Sequence, residues 1–157
     1  IQLITSKSVS RLTNRRSKVS SVLSNLWKYI MRDAWERLPK KGGNMEDCIF
    51  CKLANGEIPT DMVYEDDRIA CFRDADPQAP VHVLMVPKRH IPSLDDLTEE
   101  DSDLLGYMMI KIKDIAAGEG LENGYRAVIN CGEDGQQTVK HLHIHILGKR
   151  KMTWPPG

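Results

Sequence analysis

The sequence has no apolar run long enough to cross a bilayer, and its 22 Lys/Arg balance its 22 Asp/Glu. The lack of such a run argues against a membrane protein. The lack of a net positive charge argues against a DNA- or RNA-binding core. Of four cysteines, two form Cys48-x-x-Cys51 and two, Cys71 and Cys131, stand alone in strand-like runs. This usage is typical of a reduced intracellular protein and not of a disulfide framework.

Acidic residues are scarce at the N-terminus, where residues 1–44 hold ten Lys/Arg and only two Asp/Glu. A Ser- and Arg-rich, nearly acid-free segment is typical of organelle transit peptides, which would imply a mitochondrial location. The rival interpretation is a non-native segment, either vector-derived or translated from upstream sequence, since KKGGNM back-translates to a stretch resembling a ribosome-binding site before Met45. We expect a folded domain at 45–157 and, without a transit peptide, a cytoplasmic location.

Histidine is also scarce, yet three of the five lie in HLHIHI, at His141, His143 and His145. Because residues two apart share a face in an extended chain, the pattern predicts a strand with three imidazoles on one face. The intervening aliphatic residues should be buried, which leaves the imidazoles over a cleft or in solvent. A polar face that merely happens to use histidine is the plain alternative, but Thr, Lys or Glu would serve there without titrating near neutral pH.

The other patterns predict an α+β fold. CIFCKLANGE indicates a short helical turn ending at Gly56, and PTDMVYEDDRIACFRD indicates a hairpin around Asp66 and Asp67. VHVLMVPKRH, YRAVINCG and KHLHIHILG are further strands, and TEED at residues 98–101 resembles a capping box that opens one long helix ending between residues 118 and 120. We predict an antiparallel sheet of about five strands packed by that helix.

Apolar residues of the long helix recur at helical spacing. Such spacing predicts a stripe that faces the core and not a cofactor site. The residues of the stripe are Leu104, Leu105, Met108, Met109, Ile112, Ile115 and Ala116.

Five blocks of the sequence resemble one family. HLHIHIL fits His-φ-His-φ-His-φ-φ, with φ apolar, the signature of the histidine triad (HIT) superfamily of nucleotide hydrolases and transferases. CIFCKLANGEIP, DADPQAPVHVLMVPKRHI, GYRAVIN, DGQQTVKHLHIHILG and WPPG together resemble its Hint branch, the purine nucleoside phosphoramidases also described as protein kinase C inhibitor-like proteins. Five blocks in order are more specific than the triad alone, and residues 1–44 have no counterpart in the family.

The resemblance implies hydrolysis of a purine nucleoside phosphoramidate through a covalent nucleotidyl-histidine. His143 matches the nucleophile, and a neutral imidazole suits that role because its ordinary pKa lies near 6.5. His145 and His82 match histidines that bind phosphoryl oxygens and neutralise developing charge, which requires no metal. His141 and Thr138 complete the catalytic set.

The resemblance also implies a nucleotide pocket. Its matching residues are Asp74 for the ribose hydroxyls, Ile49, Phe50 and Phe72 for the base, Asn130, Gln137 and Thr138 around the phosphate and leaving group, Val139 through its backbone N–H, and Trp154 from the tail.

Two positions depart from the family. Thr138 stands where Ser is common, and its β-branch restricts the rotamers of the hydroxyl. Gln136 stands where many relatives have Gly, and it should narrow the loop.

The spacing Cys48-x-x-Cys51 is that of a zinc knuckle, and two Cys with two His complete a tetrahedral structural site. His90 and His141 are the matching histidines, through which several HIT relatives carry zinc. The alternative is two buried thiols beside a histidine that only hydrogen-bonds the backbone.

Other functions stay open. The triad histidines can bind zinc directly in a metallohydrolase, although the CxxC motif would then be unexplained. A dinucleoside polyphosphate hydrolase of the same superfamily and a zinc-binding, non-catalytic adaptor or inhibitor are further alternatives.

The tail KRKMTWPPG places Trp154 before two prolines, which make a semi-rigid extended end. In the Hint branch the matching tail crosses toward the partner subunit's active site. The resemblance therefore implies a two-fold homodimer that joins two sheets into one of about ten strands, with a tail that helps to set substrate preference. A flexible terminus with an incidental Trp is the alternative.

Overall fold

The computed structural model describes residues 47–156. The expectations for residues 1–44 lie outside the described residues. Five antiparallel strands form one sheet in the order β1-β2-β3-β5-β4, which confirms the predicted α+β fold. The elements are α1 (Ile49–Ala54), β1 (Met62–Glu65), β2 (Ile69–Arg73), β3 (Val81–Pro87), α2 (Ser102–Gly118), β4 (Tyr125–Val128) and β5 (Ile144–Gly148). In this part of the chain no helix has the length and apolar character needed to cross a membrane.

The β1–β2 hairpin is closed by Asp66 and tied by it to the long helix. The Asp66 carboxylate accepts the backbone N–H groups of Arg68 and Ile69 at 2.8 and 2.9 Å. It also accepts the hydroxyls of Tyr64, at 2.7 Å, and of Tyr107 on α2. A short acidic side chain is favoured in such turns because it satisfies the backbone donors that the turn leaves unpaired.

The predicted capping box is present at the start of α2. Thr98 donates its backbone N–H to the Asp101 carboxylate at 2.8 Å, and the short 3₁₀ turn Glu99–Asp101 continues directly into the helix. The helix ends at Gly118, within the predicted range. Gly120 follows at φ +65°, a conformation that glycine adopts without steric cost.

The core-facing stripe of α2 is narrower than predicted. Leu104, Met108, Ile112, Ile115 and Ala116 are buried. Leu105 is only half-buried and Met109 is 56% exposed, so the prediction is wrong for these two. Each follows a buried residue directly and is therefore rotated by about 100° away from the core-facing line.

The sheet has two unlike faces. Partners on antiparallel strands share a face, and Leu84 pairs with both Phe72 and His145. Phe72 and Leu84 belong to a core cluster with Phe50 and Ala54, so α1 covers the histidine-bearing face. The centre of the opposite face is apolar and fully buried, and its residues are Ile69, Cys71, Val83, Met85, Ile144 and Ile146.

The histidine strand is shorter than predicted. It begins at Ile144, so that His141 and His143 lie in the segment before it. The aliphatic residues Leu142, Ile144 and Ile146 are buried, as predicted. His141 and His143 are buried as well, so neither imidazole lies in solvent. The cause is α1 and its neighbouring segments, which cover this face and which the alternation alone does not reveal.

Candidate active site

Two cysteines and two histidines meet beside the start of α1. Their ligand atoms all lie within 4.8 Å of one another. His141 Nδ1 is 3.4 Å from both Cys48 Sγ and Cys51 Sγ, and His90 Nδ1 is 3.3 Å from Cys51 Sγ. All but Cys48 are buried. The group predicted from the CxxC motif is therefore assembled and can hold a metal ion.

The His141 ring is oriented by the backbone. Its Nε2–H donates to the carbonyl oxygen of Pro87 at 2.8 Å, which leaves the Nδ1 lone pair directed at the two thiols. Metal-binding histidines commonly use their second nitrogen in this way. Burial lowers the pKa of His141 to about 4, so the ring is neutral near pH 7, as a ligand must be. Burial also raises the pKa of the Cys51 thiol to about 12, and a bound cation would stabilise its thiolate.

The His143 ring has the opposite tautomer. Its Nδ1 lies 2.6 Å from the carbonyl oxygen of His141, so Nδ1 carries the proton and donates it. When the ring is neutral, Nε2 is therefore left with a lone pair. The ring packs edge-on against Phe50 at 5.1 Å between centroids, and the His145 ring lies 5.0 Å away. An imidazole held like this can act as a nucleophile or as a general base.

A directed chain of hydrogen bonds leads to His145. The backbone N–H of Gln78 donates to His82 Nδ1 at 3.1 Å, so the proton of a neutral His82 is on Nε2. That nitrogen lies 2.8 Å from His145 Nδ1 and 3.3 Å from the Asp74 carboxylate. Because His145 Nδ1 accepts, its Nε2 carries the proton. This Nε2 is buried and has no hydrogen-bond partner among the described residues, which makes it a donor available to a bound anion.

Burial keeps this chain neutral. It lowers the pKa of His82, against the opposing effect of Asp74 and Asp76. It lowers the pKa of His145 to about 4, and the neighbouring His143 and His82 add to the effect. Near pH 7 both rings therefore act as N–H donors and not as cations. His82 Nε2 faces His145 and Asp74.

The triad rings do not converge on one point. His141 belongs to the cysteine group, His145 lies with Asp74 and His82, and His143 belongs to neither group in the described part of the chain. This arrangement argues against the metallohydrolase interpretation. The Asp74–His82–His145 group is also a poor metal site, because His82 Nε2 carries a proton as long as Nδ1 accepts from Gln78.

The residues expected around a base differ in exposure. Ile49 is 42% exposed, Phe50 is 8% exposed, and Phe72 is 1% exposed and packs edge-on under Phe50. In this conformation Phe72 supports such a slot from beneath without lining it. Asp74 is half-buried, and its second carboxylate oxygen accepts the Asp76 N–H at 2.8 Å.

Gln137 braces the loop before the triad. Its side-chain amide donates to the carbonyl oxygens of Pro92 and Val139 at 2.7 and 3.0 Å, and its oxygen accepts the Gly132 N–H at 3.3 Å. Thr138 is exposed, while Asn130 and Val139 are half-buried. Gln137 therefore braces this loop, and both ends of its side-chain amide are already engaged there.

Gln136 occupies the left-handed region, at φ +59°. A side chain with a Cβ is strained there by about 1 kcal/mol, which explains why glycine suits this position. We expect Gln136→Gly to raise the free energy of unfolding by about 0.5–1 kcal/mol, measured by urea denaturation. Gln136→Ala is the control, because it keeps the Cβ. Equal stability of the Gly and Ala variants would contradict the strain.

Comparison with known proteins places this geometry in a family. Residues 47–154 match the family model described as scavenger mRNA decapping enzyme C-term binding. A HIT-like protein of Synechococcus elongatus, described as uncharacterized, is 56% identical over 112 residues, which are 71% of this chain and 98% of the relative. The crystal structure of a HIT family hydrolase from Legionella pneumophila superposes with a TM-score of 0.69 at 52% identity, covering 71% of this chain and 100% of that one. A histidine triad protein from Clostridium difficile gives 0.68 at 48% identity, covering 71% and 97%.

Proposed function

We propose that this chain, which belongs to the histidine triad superfamily, hydrolyses purine nucleoside phosphoramidates to a nucleoside monophosphate and an amine. One observation carries the proposal. His143, whose Nε2 carries a lone pair, packs against the His145 ring. The buried Nε2–H of His145 has no hydrogen-bond partner among the described residues. A nucleophile beside an anion donor is what phosphoryl transfer requires.

In the proposed reaction, His143 Nε2 attacks the α-phosphorus while the bond from phosphorus to the amine breaks. The amine leaves with a proton, for which the Thr138 hydroxyl is the proposed donor. Water then attacks the nucleotidyl-histidine and its proton passes to Thr138, which releases the monophosphate and restores both the Thr138 hydroxyl and the His143 lone pair. His145 Nε2–H binds a non-bridging oxygen throughout, and no metal is needed. Ile49, Asn130 and Asp74 are proposed nucleotide contacts, and Asp74 would exchange its contact with His82 for the ribose hydroxyls.

The cysteine–histidine group is proposed to bind zinc in a structural role. Zn–S and Zn–N bonds of about 2.3 and 2.0 Å in a tetrahedron separate S and N by about 3.5 Å. The separations of 3.3 and 3.4 Å fit that geometry. His143 is outside the group, so zinc would fix α1 and the triad segment without taking part in the chemical step.

Activity is tested with adenosine phosphoramidate and a diadenosine polyphosphate as competing substrates for the full chain. We expect faster release of AMP from the phosphoramidate, and a protein-bound label from an α-³²P substrate after an alkaline quench, which preserves the P–N bond of a nucleotidyl-histidine. Preferential turnover of the polyphosphate would instead support a dinucleoside polyphosphate hydrolase of the same superfamily. AMP binding without turnover of either would support an adaptor.

A homodimer is proposed from surfaces that the single chain leaves uncovered. β4 is an edge strand, and an unpaired edge is a liability unless it is covered. Met109 and Ile110 of α2 are 56% and 60% exposed, and Trp154 is 84% exposed. The tail is tied to β4, since the Arg126 guanidinium donates to the Thr153 carbonyl at 2.6 Å. A two-fold interface would cover these groups.

Deletion of residues 152–157 should leave a dimer with near-normal stability and altered substrate preference. The tail would reach the partner's site, while the edge strand and α2 hold the subunits together. Sedimentation at micromolar concentration checks the dimer, and kcat/KM for phosphoramidates with different amines checks the preference. A monomeric full chain, or an unchanged order and size of preference after truncation, would contradict the proposal.

A further inference from the structure

The chain after β5 reaches back to the loop that carries Gln78. β3 and β5 pair with Val81 opposite Gly148, so residues just before β3 lie beside residues just after β5. Lys149 takes a left-handed conformation, φ +64°, which turns the chain at this point. Arg150 follows, and its Nε–H donates to the carbonyl oxygen of Gln78 at 3.1 Å.

Gln78 is held on both sides of its α-carbon. Its carbonyl accepts from Arg150, and its N–H donates to His82 Nδ1 at 3.1 Å. The other contacts of the loop are local: Asp76 N–H to the Asp74 carboxylate at 2.8 Å, and the Gln78 side chain to the Asp76 carbonyl at 2.9 Å. Among the described residues, His82 thus holds the Gln78 N–H, and Arg150, from the segment after β5, holds the Gln78 carbonyl.

We propose that Arg150 is a positioning residue for the active site, holding the Gln78 backbone so that its N–H fixes the tautomer of His82. Through His82 it presents the His145 N–H to the substrate. This role rests on the proposed function only for its effect on rate. The relay itself consists of contacts of 3.1, 3.1 and 2.8 Å that exist without substrate.

The consequence of losing Arg150 follows from proton positions. If the Gln78 N–H moves away, Asp74 still favours a proton on His82 Nε2, but part of the neutral His82 population can carry its proton on Nδ1, which leaves a lone pair on Nε2. His145 then donates from Nδ1 to His82, and its own Nε2 becomes a lone pair. His145 Nε2 would then repel the phosphoryl oxygen to which it otherwise donates a hydrogen bond. Every imidazole stays neutral, and no proton is gained or lost.

The test is imidazole ¹⁵N NMR and steady-state kinetics on full-length Arg150→Gln. We expect the unchanged chain to show His82 and His145 protonated at Nε2, and the variant to show a mixture of tautomers. We also expect kcat to fall about 10- to 100-fold, as for a small misplacement of reacting groups, with a smaller change in AMP affinity. Lys151→Gln, which removes a neighbouring exposed cation, should change neither spectrum nor rate.

Two outcomes overturn the positioning role: His82 protonated at Nδ1 in the unchanged chain, or unaltered tautomers in Arg150→Gln. Should Arg150→Gln fail to fold, Arg150→Lys takes its place, because it keeps the charge but lacks the Nε–H. Unaltered tautomers in Arg150→Lys would then overturn the positioning role. The proposed function fails separately. If no phosphoramidate is cleaved but the tautomers shift in the variant, the relay stands and the assigned reaction does not.

Discussion

His143→Ala is expected to abolish turnover while nucleotide still binds. The substitution removes the only lone pair that the proposal assigns to attack on phosphorus, and it leaves the proposed base and ribose contacts in place. We expect kcat below about one hundredth of the original value, a barrier increase of more than roughly 3 kcal/mol. Single-turnover kinetics measures the loss, and calorimetry with AMP measures the retained binding.

His145→Gln is the matched control for that variant. It keeps the nucleophile and an N–H donor near the same place, so labelled nucleotidyl-protein should still form, only more slowly. A covalent label that persists in His143→Ala would assign the nucleophile to another residue. Loss of AMP binding together with activity would instead indicate that His143→Ala disturbs the pocket through its packing on Phe50.

The largest effect on stability is expected from Cys48→Ser combined with Cys51→Ser. The double variant should lose bound zinc and about 4 kcal/mol or more of unfolding free energy, because metal binding to an assembled site is coupled to folding. Molecules that remain folded should keep measurable activity, since the proposed chemistry uses no metal. Elemental analysis and urea denaturation, with and without chelator, measure both effects.

Cys131→Ser is the control, because this half-buried thiol lies outside the metal-ligand group. It should retain zinc and most of the stability. Stoichiometric zinc in the double cysteine variant would contradict the structural site. Zinc that is lost only when His143 or His145 is changed would favour the metallohydrolase.

Local patterns in the sequence determined most of the fold. The hairpin at Asp66, the capping box at Thr98 and the end of α2 depend on contacts within a few residues, which is why they could be predicted. The CxxC spacing and the triad indicated the two side-chain groups. The family resemblance also marked Gln136 as a departure, but only its φ of +59° gives the physical reason why glycine suits the position.

Tertiary structure decided which atoms of the histidines are available for chemistry. The triad pattern treats His141, His143 and His145 alike, yet each ring nitrogen is assigned by a different distant or backbone partner: Pro87, the His141 carbonyl and His82. Backbone carbonyl and N–H groups occur along the whole chain, so the triad pattern does not reveal which of them will lie beside a given imidazole. The burial of His141 and the reach of Arg150 to Gln78 likewise arise only when α1 covers the sheet and β3 pairs with β5.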